Sequence, residues 1–261
     1  MPNFSTASLI EPTLKLPRLL KRASTVEKSA LFMIGLSAAA LYAFGSLADE
    51  VIEGDTRTFD EFVLLAFRSQ ADLSDPIGPG WLEEVMRDFT ALGSSTVLAS
   101  ITLAVAGYLV LIRKRRVAMM VAGGVASGTL LSSLLKWGFS RSRPDLVPHI
   151  GEVYTQSFPS GHAMLSAIVY LTLGVLLART QAEPRVKIYL LSVAAAATFI
   201  VGISRVYLGL HWPTDVLAGW VIGAGWAMLC WLVMLWLQGQ GKVEPEAAKS
   251  NADIPSTGME L

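Results

Sequence analysis

Six stretches of nearly unbroken apolar residues organise this chain, near 29–48, 92–112, 117–137, 161–178, 188–207 and 214–237. Each is close to the roughly twenty residues that a helix needs to cross a bilayer. The first follows a long basic stretch, and the Leu47-Ala48-Asp49-Glu50 run after it is a poor cleavage site, which predicts a retained span rather than a signal peptide. Ser24-Thr25-Val26-Glu27 matches a capping box and predicts the start of that helix. Between the first two spans, Phe59, Phe62, Val63, Ala66 and Phe67 recur at helical spacing, as do Trp81, Leu82, Val85, Met86 and Phe89. The Pro76-Ile77-Gly78-Pro79-Gly80 break divides the two sets. Two short interfacial helices follow from this pattern, either gating lipid entry or packing over the span ends.

Composition agrees with the patterning. Of 261 residues, 52% are hydrophobic and only 16% charged, and the mean hydropathy is +0.50. The expected fold is therefore all-α, a polytopic six-transmembrane-helix bundle with short interfacial helices in its outer loop. A basic segment (1–28) precedes the 29–237 membrane domain, and a polar tail (238–261) with the composition of disorder follows it. Zero formal net charge gives no basic bias towards nucleic acid. Cys230 is the single cysteine, so no intramolecular disulfide is expected. Gly124/Gly128 and Gly219/Gly223 have the small-xxx-small spacing that lets membrane helices approach closely.

Charge placement sets an orientation. Lys15, Arg18, Lys21, Arg22 and Lys28 precede the first span, Arg113-Lys114-Arg115-Arg116 separate the second and third, and Arg179, Arg185 and Lys187 separate the fourth and fifth. Positive loops stay cytoplasmic. Both termini are then expected inside, and the acidic 49–91 loop outside, facing the periplasm if the source is a bacterium.

Three polar constellations lie at that outer end, a costly place to gather charge without a function. In the first, Lys136 and Arg143 are seven residues apart. A continuous helix would aim both towards one face, while a break at Gly138 would let a loop carry Arg143 back towards Lys136. These cations and Arg141 could instead snorkel to lipid phosphates. In the second, Pro159-Ser160-Gly161-His162 opens the fourth span. Ser160 is a good N-cap and Gly161 admits close approach, so the first turn can bind an anion, with His162 at its rim as a proton donor. An ordinary cap beside an interfacial histidine is the plainer alternative. In the third, Ser204-Arg205 closes the fifth span, and His211 and Asp215 flank the start of the sixth, where Pro213 and Thr214 signal helix entry. Asp215 could fix the His211 tautomer for nucleophilic attack, or merely pin a loop.

Together the groups complement one another. Three cations and a helix N-terminus would hold a phosphate dianion while one histidine attacks and the other protonates the leaving group. A metal site is disfavoured, because the neighbouring lysine and arginines would repel a cation. His149 belongs to no interpretable spacing and is expected to be a solvated loop residue.

Lys136-Trp-Gly-Phe-Ser-Arg-Ser-Arg143-Pro144, Pro159-Ser160-Gly161-His162 and Ser204-Arg205-Val-Tyr-Leu-Gly-Leu-His211-Trp-Pro-Thr-Asp215 resemble the three-part signature of the type 2 phosphatidic acid phosphatases. All three parts are complete and in order. The resemblance implies metal-independent, cofactor-free dephosphorylation of a lipid phosphate in the bilayer through a phosphohistidine. Carried over by position, His211 is the nucleophile, Asp215 orients it and His162 protonates the departing alkoxide. Lys136, Arg143, Ser160, Gly161 and Arg205 bind the phosphate. Phosphatidic acid, phosphatidylglycerol phosphate, undecaprenyl diphosphate and lipid A phosphates are the substrates it suggests. A lipid-to-lipid phosphotransferase and a non-catalytic lipid-phosphate carrier are the rival readings. Six spans argue against a soluble vanadate-dependent haloperoxidase.

Overall fold

The computed structural model describes residues 16–146 and 156–243, with side chains from residue 30 onward. His149 and most of the polar tail lie outside the described residues. The elements in order are α1 (Leu16–Glu53), α2 (Arg57–Ala66), α3 (Gly80–Ala91), α4 (Ser95–Leu111), α5 (Arg115–Gly138), α6 (Gly161–Thr180), α7 (Pro184–Tyr207) and α8 (Pro213–Gly239). The only β pairing among the described residues is one isolated bridge, Arg68 to Pro76.

Five helices, α1, α5, α6, α7 and α8, are long and apolar enough to cross a membrane, and α3 with α4 forms a sixth candidate bent by 49°. Alone, the 17 residues of α4 reach about 26 Å, close to the hydrocarbon thickness of a bilayer. Ser94 caps α4 by accepting a hydrogen bond from the Val97 amide at 3.3 Å. Beside it Gly93 leaves no room for a side chain, since a Cβ there would stand 2.4 Å from Val201 Cγ1 and 3.3 Å from His162 Cβ. The elbow is thus pressed against α6 and α7.

The capping box at Ser24 does not start the first helix, because α1 already runs from Leu16. Leu, Lys and Arg are good helix formers, and Pro17 falls in the first turn, where its missing N–H costs nothing.

Helix α6 is the hub and packs against α4, α5, α7 and α8. Half of its apolar window is buried, against 11% for α1. Met164, Leu165, Ile168 and Val169 meet Phe44, Leu98, Phe158, Ala218 and Ile222 in the main core. Close contact with α8 depends on Gly219 and Gly223, where an added Cβ would lie 2.7 Å from the Ser160 carbonyl oxygen and 2.5 Å from that of Met164. Such backbone proximity supplies packing between helices that gain little from the hydrophobic effect inside lipid. Phe32, Leu41, Tyr42, Leu103, Trp137 and Trp236 point outwards, as an apolar belt facing acyl chains would.

The loop between α1 and α4 forms α2 and α3 as expected, and both pack over helix ends. Leu82 and Met86 of α3 cover Tyr207, Leu208 and Leu210. The apolar residues along α2 divide: Val63 and Phe67 pack inward beside Leu64, and Asp60 is fully buried with them, whereas Phe59 and Phe62 are exposed.

Candidate active site

Local chain breaks bring the three constellations together. Helix α5 ends at Gly138, and Phe139 is extended, so the loop carries Arg143 back, the second of the two arrangements the sequence allowed. Lys136 Nζ donates to the Gln156 carbonyl at 2.8 Å. Across from it α6 begins, with Ser160 as N-cap accepting from the Ala163 amide at 3.5 Å. A Cβ at Gly161 would touch Lys136 Cε at 3.4 Å, so the missing side chain lets the cation lie against the helix start. The Ser160 amide donates to the Asp215 carbonyl at 2.9 Å and joins the first turns of α6 and α8. The carbonyl of Arg205, in the last turn of α7, accepts from the Leu210 and His211 amides at 3.0 and 3.3 Å. That tight turn places His211 beside Arg205.

His211 is almost completely buried. Its Nε2 lies 3.2 Å from Arg143 Nη1, and its Nδ1 lies 3.3 Å from Asp215 Oδ2. A guanidinium has only donors and a carboxylate only acceptors. The partners therefore place the proton on Nδ1 and the lone pair on Nε2, the tautomer a nucleophile requires. His211 sits in the turn between α7 and α8, and burial, followed by the charges of Arg205, Arg143 and Lys136, holds its pKa well below 6.5. The ring thus stays neutral at ordinary pH.

Asp215 is held from all sides. Its Oδ2 accepts from the Trp212 amide at 2.9 Å and from the Ser157 hydroxyl, and its Oδ1 accepts from Arg141 Nη1 at 2.6 Å. Asp215 occupies the N3 position of α8, so it also completes the helix cap, and Pro213 occupies N1.

Arg205 is buried, with Nη1 donating to Thr90 of α3 at 3.1 Å. Its Nε is buried without a partner among the described residues. An unmade charged donor in such a place costs stability unless a ligand completes it. His162 is half-buried in the first turn of α6, directly after Gly161. All eight sequence-predicted residues, Lys136, Arg143, Ser160, Gly161, His162, Arg205, His211 and Asp215, thus lie at one end of the bundle.

Arg141 turns inward instead of snorkelling to lipid. Its side chain is only 14% exposed and bridges Asp215 to Asp60, with Nη2 donating to Asp60 Oδ2 at 2.6 Å. Sequence reasoning missed Asp60, Ser157, Thr214 and Thr90 as parts of the site. Thr214 had appeared only as a helix-entry residue, and Asp60 stands beside Glu61 in α2, so the pattern did not single it out.

Fold and site together define a membrane-embedded phosphate-transfer protein. Residues 117–238 match the PAP2 superfamily. The chain is 35% identical over 146 residues to phosphatidylglycerophosphatase B of Bacillus subtilis, an alignment covering 55% of this chain and 70% of that one. A lipid A 1-phosphatase of Rhizobium johnstonii is 32% identical over 113 residues, covering 40% and 42% of the two chains. The crystal structure of a transmembrane PAP2-type phosphatidylglycerolphosphate phosphatase from Bacillus subtilis superposes with a TM-score of 0.68 at 28% identity, over 80% of this chain and 97% of that one. The chain belongs to the PAP2 superfamily, and its relatives are membrane lipid phosphatases.

Proposed function

We propose that this chain is an integral-membrane lipid phosphatase that works through a phosphohistidine on His211, with its site on the non-cytoplasmic face. Attack by the Nε2 lone pair forms the P–N bond as the bond from phosphorus to the lipid oxygen breaks. His162 delivers a proton to that oxygen, and the lipid alcohol leaves. Water then attacks phosphorus, His162 takes its proton, and the P–N bond breaks to free phosphate and restore the imidazole. Lys136, Arg143 and Arg205, with the first-turn amides of α6 after Ser160 and Gly161, hold the charge that develops on the phosphoryl oxygens. Asp215 balances the positive imidazolium.

The observation that carries this reading is the pairing of His211 with Asp215 on one nitrogen and Arg143 on the other. The positive loops at the other end of the bundle, Arg113 to Arg116 and Arg179 to Lys187, support cytoplasmic termini. Phosphatidylglycerol phosphate is the first substrate to try, because both Bacillus subtilis relatives are phosphatases named for it. Purified protein in detergent is assayed for phosphate release from a panel of lipid mono- and diphosphates, with excess chelator present. At least one lipid should yield free phosphate, and His211→Ala should abolish the release. No release from any lipid, or substantial turnover by His211→Ala, would overturn the proposal.

A further inference from the structure

We infer that Asp60 of α2, acting through Arg141, is a positioning residue that sets the charge and orientation of Asp215 behind the nucleophile. The inference rests on the reading of His211 as the attacking group. Asp60 lies outside the 117–238 segment that matches the family, and it is fully buried. Its two oxygens are fully engaged. Oδ1 accepts from the Thr214 amide at 2.9 Å, while Oδ2 accepts from the Thr214 hydroxyl at 2.7 Å and from Arg141 Nη2 at 2.6 Å. The Thr214 oxygen in turn accepts from Arg141 Nη1 at 2.8 Å.

Charge counting shows what Asp60 adds. Arg141 alone beside Asp215 makes a neutral pair, and a neutral pair is a poor partner for the imidazolium that forms when His211 takes up a phosphoryl group. Asp60 returns the cluster to one net negative charge, which the phosphorylated ring then balances. Buried charge is tolerable only when it is paired and hydrogen-bonded in this way. Asp60 also lies at the N-terminus of α8, whose dipole favours an anion. In this way α2 is tied to the chemistry rather than only laid over it.

A helix-capping role alone makes a different prediction. Asparagine caps as well as aspartate, and in Asp60→Asn the retained oxygen can still accept from the Thr214 amide. Only the charge and one acceptor are lost. Asp60→Asn should lower kcat on a lipid phosphate by roughly ten- to a hundredfold, on the scale of a lost hydrogen bond to a charged group. KM should change by no more than about threefold, because Asp60 does not face the phosphate. Adding Arg141→Gln restores one net negative charge, so the double variant should turn over faster than Asp60→Asn alone.

A proton resonance independent of turnover accompanies the kinetics. The downfield His211 Nδ1–H signal, identified by its absence in His211→Ala, should shift in Asp60→Asn. An unshifted signal together with wild-type kcat, or a loss confined to KM, would overturn the inference, as would a double variant no faster than Asp60→Asn. If Asp60→Asn does not fold, Arg141→Lys, which keeps the net charge but cannot span both carboxylates with two nitrogens, should lower kcat and shift the signal through lost orientation alone; wild-type values for both would refute the role. An inactive wild type with the signal shifted in Asp60→Asn would refute the phosphatase reading while leaving the positioning role standing.

Discussion

Replacing Arg205 by lysine separates charge from geometry at the phosphate pocket. The native guanidinium is buried, spends Nη1 on Thr90 at 3.1 Å and leaves Nε without a partner among the described residues. Lysine keeps the positive charge but not the planar fork, and it cannot donate to Thr90 and to a phosphoryl oxygen from two separate nitrogens. A hydrogen bond to a charged group is worth about 1.5–3 kcal/mol, so loss of one such donor from the transition state should cost about ten- to a hundredfold in kcat. Arg205→Ala removes the charge as well and should cost roughly a hundredfold to a thousandfold, the scale seen when an oxyanion donor is lost. Initial rates of phosphate release across a range of lipid mole fractions in mixed micelles give kcat and KM for both variants. The reasoning fails if Arg205→Lys retains wild-type turnover, or if either variant changes KM alone, since Arg205 would then only anchor the headgroup.

Because the neutral ring of His211 attacks, and burial with three nearby cations holds its pKa below 6.5, the acid limb of kcat/KM should lie below that value. A limb centred at or above the ordinary imidazole range would contradict the geometry. The same shift means that the unfolded chain binds the proton more readily. Thermal stability should therefore be fully present above pH 6.5 and fall as pH drops through that range towards the folded pKa, and a flat profile would argue against it. At Gly223 a Cβ would stand 2.5 Å from the Met164 carbonyl oxygen, whereas at Gly107 nothing lies within 4 Å. Gly223→Leu should thus destabilise the protein in thermal unfolding by about 1–3 kcal/mol, with Gly107→Ala close to neutral; equal effects would refute the tight α6–α8 contact. For topology, single cysteines at Asp145 and at Arg115, in a Cys230→Ala background, should respectively react with and resist an impermeant thiol reagent in intact cells. The reverse pattern would overturn the proposed orientation.

Most of the membrane architecture was legible because it rests on length and hydropathy, which are local properties. The residues of the three signature stretches, each next to a helix end, converge at one end of the bundle. What stayed hidden depends on contacts between distant parts of the chain. Whether Lys136 and Arg143 share a helix face or meet across a loop turned on how α5 ends at Gly138. Arg141 could be read as an interfacial snorkel until its two carboxylate partners, Asp60 and Asp215, were brought to it across 81 and 74 residues. Ser157 left no pattern at all, being one hydroxyl in a loop that folds onto Asp215. On α2 the periodicity correctly indicated a helix but not which residues turn inward: Val63 and Phe67 pack against the bundle and a polar site draws Asp60 in with them, while Phe59 and Phe62 stay exposed.

The most direct test of the central claim is rapid quenching of the enzyme during turnover of a lipid carrying radiolabelled phosphate. Label should appear on the protein before free phosphate accumulates, survive alkali and be lost in acid, as expected of a P–N bond. Peptide mapping should place it on His211, and His211→Ala should carry none. Phosphate release without labelled protein on the time scale of one turnover, or label mapped to His162 or any other residue, would contradict a phosphohistidine on His211.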